Sequence, residues 1–314
     1  MDFSIIDSLP NHYKAKRIVR RLSATLPQGY GFLDLPHCYV RYRVAGNGPI
    51  TIVFATDPPV TLESYDSIIE SLIRDFKVIV FELPGFGFSF PKKSMKFDFN
   101  PAVDTLLACL KHWNAAPYVL AFPCASAFFA RKMAEVSPET ITHLVLTQCP
   151  SWSQEQAWVK RLDPKGILST GFIGQVFMGS LKRKIGHEWV AFASHTHQTT
   201  QQLQAHNHNT MKQGGCYCLA SSIQRSLLQD APQFHPIDQP ILSVYGDCDR
   251  SHKNTDFHSI KEHGHHTLVK SIPNTGHFPE LENTPVFLNY LKSFISGSDA
   301  ASASNHCLNE TSGA

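Results

Sequence analysis

The sequence has no cysteine framework: its eight cysteines form no CxxC pair and follow no regular spacing. That pattern excludes a disulfide-stapled scaffold and fits a reducing compartment. No window approaches the roughly 20 consecutive apolar residues that a membrane span needs. The opening stretch MDFSIIDSLPNHYKAKRIVRRLS has early acids and a proline where a secretory leader would be continuously apolar. A cytoplasmic location is the expectation, and the NET at Asn309 is then a chance sequon, since glycosylation requires export. Charge singles out no partner either. The 28 Lys and Arg against 26 Asp and Glu leave a formal +2, which makes no case for nucleic acid or an anionic membrane. The cluster Lys14, Lys16, Arg17, Arg20 and Arg21 could touch a membrane surface, but a solvated helix face is the first expectation.

Hydrophobic periodicity is what the chain does have. HCYVRYRVAG alternates with period two, and PITIVFA, KVIVFEL, YVLAF and THLVLT are short continuous apolar runs. Between them, ESYDSIIESLIRDF, PAVDTLLACLKHW and ASAFFARKMAEV carry helical apolar stripes. Buried strands alternating with amphipathic helices predict a mostly parallel α/β sheet with helices on both faces. From Pro150 to about Pro232 the rhythm breaks into a Gln- and His-rich, helix-forming segment, and PILSVYG at 240–246 restores it. The expected organisation is an N-terminal extension (1–30), one core built from 31–150 and 232–296, an inserted helical cap (151–231) and a disordered polar tail (297–314).

Residues with reactive side chains fall where strands end. YVLAFPCASAFF runs a strand into a helix with Cys124 at the corner, YGDCD places acids just after a strand, and NTGHFPELENTPVF places His277 between the last strand and the last helix. The nucleophile–acid–histidine order, the turn ELPGFGFSFP, and Pro138 fourteen residues beyond Cys124 resemble the α/β-hydrolase superfamily. The resemblance covers roughly 35–150 and 235–295, with the cap matched in position alone. It implies a triad of Cys124, His277 and Asp249, with Asp247 read as a turn residue. A thiol at a helix N-terminus beside a protonated histidine is expected to be partly thiolate near neutrality.

Departures from the pattern are equally visible. The corner is flanked by Phe122 and Ser126, where the superfamily has small residues at both positions. The loop after the third strand reads ATDPP, so either Pro58, which has no N–H, or Asp57 stands where an oxyanion donor is expected, with Ala125 as the second donor. Trp152, Trp158, Phe172 and Phe177 are candidates for an apolar pocket wall. The scattered histidines lack the cysteine and carboxylate spacing of a structural zinc site, so neither a metal nor a cofactor is expected. The implied activity is acyl transfer to or from a small, largely apolar ester, lactone or acyl thioester, with an acyl carrier or CoA thioester among the candidate partners. Epoxide hydrolases and haloalkane dehalogenases resemble this chain in the PGFGFS turn but need an aspartate at the corner, so Cys124 argues against both. The alternative from other classes is a ligand-binding pseudoenzyme, or a lyase or isomerase working without an acyl-enzyme.

Overall fold

The computed structural model describes residues 1–230 and 232–297. Ala231 and the tail 298–314, with Cys307, the Asn309 sequon and most of the stretch expected to be disordered, lie outside the described residues. In chain order the elements are α1 (Ile5–Ser23), β1 (Tyr30–Asp34), β2 (Tyr39–Ala45), β3 (Thr51–Ala55), α2 (Asp66–Leu72), β4 (Lys77–Phe81), β5 (Phe86–Gly87), α3 (Phe99–Trp113), β6 (Tyr118–Pro123), α4 (Cys124–Val136) and β7 (Ile141–Thr147). They continue with α5 (Trp152–Leu162), α6 (Ile173–Ala193), α7 (His197–Lys212), β8 (Cys216–Tyr217), α8 (Leu219–Ser222), β9 (Ile241–Gly246), β10 (Thr267–Ile272), α9 (Pro279–Glu282) and α10 (Thr284–Ile295).

Eight strands make one sheet in the order β1-β2-β4-β3-β6-β7-β9-β10, and β5 and β8 pair separately. The β1–β2 and β2–β4 pairs are antiparallel and the remaining ladders of the large sheet are parallel. The continuous apolar runs are explained by burial on both faces. In β3, Ile52 and Phe54 join one core with Ile68, Leu72 and Phe287, whereas Val53 and Ala55 join the other with Leu106, Leu110 and Met133. Every parallel strand therefore delivers its carboxyl end to the same edge, and the loops there carry the site.

Residues 151–230, between β7 and β9, contribute α5 to α8. They also contain a strand that periodicity cannot reveal, because it is only two residues long: β8 pairs antiparallel with β5, Phe86 opposite Tyr217 and Gly87 opposite Cys216. This pins the inserted segment to the PGFG turn. Gly87 has φ +57° and a Cβ there would lie 2.6 Å from the Glu82 carboxyl, so the turn admits no side chain. Glu82 in turn accepts from the Phe88 N–H at 2.7 Å and pairs with Arg41 at 3.1 Å. The N-terminal extension is structured: α1 packs on α6, and the Ser221 hydroxyl donates to buried Asp7 at 2.7 Å.

Candidate active site

Cys124 is the first residue of α4, directly after β6, and holds φ +48°. That backbone is costly for a residue with a Cβ and turns the side chain out over the sheet edge. Phe122 is accommodated because it faces away from the corner, edge-on to Phe81 at 5.6 Å. Ser126 turns back and donates to the Pro123 carbonyl at 2.6 Å.

The loop after β9 and the loop after β10 bring Asp249 and His277 together. His277 donates through Nδ1–H to Asp249 Oδ2 at 2.7 Å. Four other donors converge on the same carboxylate: His252 Nδ1–H at 2.8 Å, Gln148 Nε2–H at 2.8 Å, and the Ser251 N–H and hydroxyl at 2.8 and 2.7 Å. Burial works against the charge on Asp249, but the neighbouring imidazole of His277, followed by His252, pulls its pKa far below the usual carboxylate range. Asp247 is exposed and accepts from the Asn274 N–H at 2.8 Å, as a turn residue does.

The other side of His277 is the unexpected one. Its Nε2 lies 3.1 Å from Asp57 Oδ2, at ion-pair distance though without the alignment of a good hydrogen bond. Asp57 thus presents a carboxylate to the site, where the sequence reading had it as a candidate backbone donor. Burial opposes a charge on His277, yet Asp249 first, and then the contacts with Asp57 and Cys124, raise its pKa well above the ordinary imidazole value. The raised pKa favours the protonated ring, which lies between the Asp249 and Asp57 carboxyl groups.

These charges weigh against the expected thiolate. Cys124 Sγ, His277 and Asp57 offer atoms that all lie within 4.8 Å of one another, and Sγ is 3.9 Å from Glu155 Oε1. Burial raises the Cys124 pKa first, then Glu155 and Asp57 add to it, and the weaker pull of His277 does not compensate. A thiol surrounded by acids in a dry site keeps its proton.

Sequence reasoning missed Glu155, His252 and Gln148. Glu155 is completely buried on α5, on one helical face with Trp158 and Leu162, a spacing that could have drawn attention to it. Burial raises its carboxyl pKa to about 8, so it is neutral in the folded protein at pH 7. Its unfolded counterpart ionises above about 4.3, so this group loses the protein stability as pH rises from there to about 8. Glu155→Gln is therefore expected to flatten that decline, stabilising the fold by about 1–3 kcal/mol at pH 8 relative to pH 4.5, as denaturant titrations at the two pH values would show.

Asp57, Pro58, Cys124, Ala125, Trp158 and His277 open onto one cavity of about 230 Å³ whose remaining wall is mainly aliphatic and aromatic, with Trp189, Leu162, Leu168, Ile185 and Tyr217 among the contributors. Trp158 lies parallel to both imidazoles, 4.5 Å from His252 and 5.9 Å from His277. The other aromatic candidates sit elsewhere. Trp152 packs edge-on against Phe128 at 4.9 Å, because its indole fills the core among Phe99, Phe128 and Phe234. Phe172 is 56% exposed at the start of α6, and Phe177 is half-buried outside the cavity wall. Two trios have metal-ligand spacing, Asp57–Cys124–His277 and Asp249–His252–His277. In the second, both imidazole Nδ1 atoms are already hydrogen-bonded to the carboxylate.

Solved structures share this arrangement of strands and helices. The Cif epoxide hydrolase from Acinetobacter nosocomialis is 14% identical, with 90% of this chain and 96% of that one covered at a TM-score of 0.67. A proposed epoxide hydrolase from Pseudomonas aeruginosa is 14% identical over 88% and 98% of the two chains, TM-score 0.67. A proposed acyltransferase from Salmonella enterica is 12% identical over 87% and 97%, TM-score 0.68. The fold is that of the α/β hydrolases. No protein-family model and no curated protein matches the sequence. At these identities the α/β-hydrolase likeness is one of architecture, so the chemistry has to be argued from the side chains of the site.

Proposed function

We propose that this α/β-hydrolase-fold protein is an enzyme that opens a small, largely apolar epoxide, or an electrophile of similar shape, with Asp57 as the attacking carboxylate and His277 as its acid and base. The observation that carries this reading is the Asp57–His277–Asp249 line, 3.1 Å on one side of the imidazole and 2.7 Å on the other. Acyl transfer by Cys124 fits the same site poorly. The Asp57 carboxylate would repel both a thiolate and the tetrahedral oxyanion that follows it, and Pro58 offers no N–H to that oxyanion. Two of the architectural relatives are described as epoxide hydrolases, a chemistry that needs a carboxylate and a histidine and no thiolate.

In the first step Asp57 Oδ attacks a ring carbon, the ring C–O bond breaks, and the ring oxygen takes the proton from His277 Nε2. The products are a hydroxyalkyl ester of Asp57 and a neutral imidazole. Esterification removes one of the two carboxylates that keep His277 charged, so its pKa falls when a base is required. In the second step His277 takes a proton from water, the hydroxide adds to the ester carbonyl, and the diol alkoxide departs and is protonated by the regenerated carboxyl group. Asp57 is again a carboxylate and His277 an imidazolium.

The pH dependence separates this route from thiolate attack. Ester formation needs His277 protonated, so its single-turnover rate is expected to stay level through neutral pH and to fall only well above 6.5, as the raised His277 pKa is passed. Thiolate attack would accelerate with pH over the same interval. Rapid-quench measurement of ester formation on an aryl epoxide distinguishes the two profiles. The second reading, a Cys124 acyl-enzyme, is favoured by the φ of +48° that presents Cys124 at the corner and by the contact of its Sγ with His277. Intact-mass spectra after exposure to aryl epoxides, and separately to aryl esters, test both: an epoxide adduct mapped to Asp57 supports the proposal, and an acyl adduct on Cys124 replaces it.

A further inference from the structure

On the outer surface, two helices combine into one face with an apolar end and a cationic end. At the first end Phe3 rests on Gly171, just before α6, and at the other Ile18 of α1 meets Gly214 while Arg21 donates to the Gln213 carbonyl at 3.1 Å. Lys182, halfway along α6, reaches the same loop, donating to the Gly215 carbonyl at 2.5 Å. The helices therefore run side by side with their N-termini together.

The outward residues follow helical spacing on both. On α1 these are Ile5, Tyr13, Lys16, Arg17 and Arg20, and on α6 they are Ile173, Val176, Arg183 and Lys184. At the shared N-terminal end Phe172 is 56%, Ile173 53%, Val176 48% and Ile5 48% exposed. Four such side chains open to water in one place are unusual for a surface with no partner. Toward the other end Lys16, Arg17, Arg20 and Arg183 are exposed and form no ion pair with a described residue, while Lys184 sits 3.8 Å from Glu188. The whole-chain charge of +2 conceals this local excess.

We infer that the α1–α6 face docks on an anionic lipid bilayer, with Phe172, Ile173, Val176 and Ile5 entering the acyl–headgroup boundary and the Lys and Arg side chains resting on the headgroups. Apolar anchors together with a polybasic patch make up the two-part attachment that a peripheral protein needs, each part being weak alone. A polyanion such as nucleic acid would use the cations but leaves the apolar end without a role. Docking of this kind does not depend on which atom attacks in the cavity. The face is connected to the cavity through α6, whose Ile185 and Trp189 line the wall, and through Leu162 and Leu168, which lead into Phe172.

Flotation of the full chain with vesicles of phosphatidylcholine alone, and of phosphatidylcholine containing phosphatidylserine, tests the inference. Binding is expected on the anionic vesicles and not on the neutral ones, and should decline as salt is raised. Arg17→Glu/Arg20→Glu should weaken it by about tenfold or more. Phe172→Ser/Ile173→Ser should abolish the residual binding that survives high salt. If the charge-reversal variant fails to fold, the salt series on the wild-type chain and the Phe172/Ile173 variant report on the same face. Equal binding to both vesicle types, no binding to either, or retention by a duplex oligonucleotide with no vesicle binding would overturn the inference.

Discussion

Asp57→Asn is expected to eliminate turnover of an epoxide substrate, by roughly 10³-fold or more, and with it the covalent adduct, while Cys124→Ala keeps both. The amide has nearly the shape of the carboxylate, so the cavity and the His277 position should survive and only the attacking charge is lost. A purely structural Asp57 would not give this split between the two variants. A corollary follows from the electrostatics. Asp57 is one of the acids that hold the Cys124 thiol in its protonated form, after burial and Glu155, so alkylation of Cys124 by iodoacetamide should become faster in Asp57→Asn than in the wild type. Peptide-resolved labelling, needed because seven free cysteines lie among the described residues, measures it. If Cys124→Ala is the inactive variant and Asp57→Asn retains its adduct, the carboxylate mechanism is wrong and the thiol is the nucleophile after all.

The second large effect is expected at Asp249. Asp249→Asn should lower kcat by about 10⁴-fold, the size seen when a buried histidine loses the carboxylate that orients it. Here the substitution does more than misorient one ring. Asp249 accepts from two imidazoles, an amide and a serine, and an asparagine can accept at one atom only, so several buried donors are left unpaired. His277 also loses the strongest of the carboxylates that raise its pKa, so the remaining activity should decline at a lower pH than in the wild type. The sign for stability is opposite to that of Glu155. A carboxylate whose folded pKa is depressed contributes stability above the unfolded value near 3.9, and that stability is lost as pH falls through the folded value. The wild type should therefore outlast Asp249→Asn at pH 7 and lose this advantage in strong acid, as urea titrations across pH would measure.

Much of the fold was legible because burial on both faces of a parallel sheet leaves a local record. A run such as TIVFA or KVIVF needs apolar residues at every position, and both become strands with all or nearly all residues buried. The corner at Cys124 and the loops carrying Asp249 and His277 were legible for a related reason: they fall at the ends of those runs, and strand ends on one edge of the sheet must converge. By contrast β8, two residues long, has no period to detect, and its pairing with β5 spans more than a hundred residues of sequence.

What the sequence determined by itself was the architecture, the corner and the positions of Cys124, Asp249 and His277 at strand ends, not the Glu155, His252 and Gln148 side chains that packing adds. Only the tertiary structure decided their charge. Whether Cys124 ionises depends on Glu155 and Asp57, which lie on an inserted helix and a distant loop, and no spacing along the chain encodes the distance between a thiol and an acid brought together by packing. The same holds for the surface. A net charge of +2 sums cations and anions wherever they lie, whereas the field at a bilayer or a substrate depends on which of them share a face, and that is settled by the way α1 comes to rest along α6.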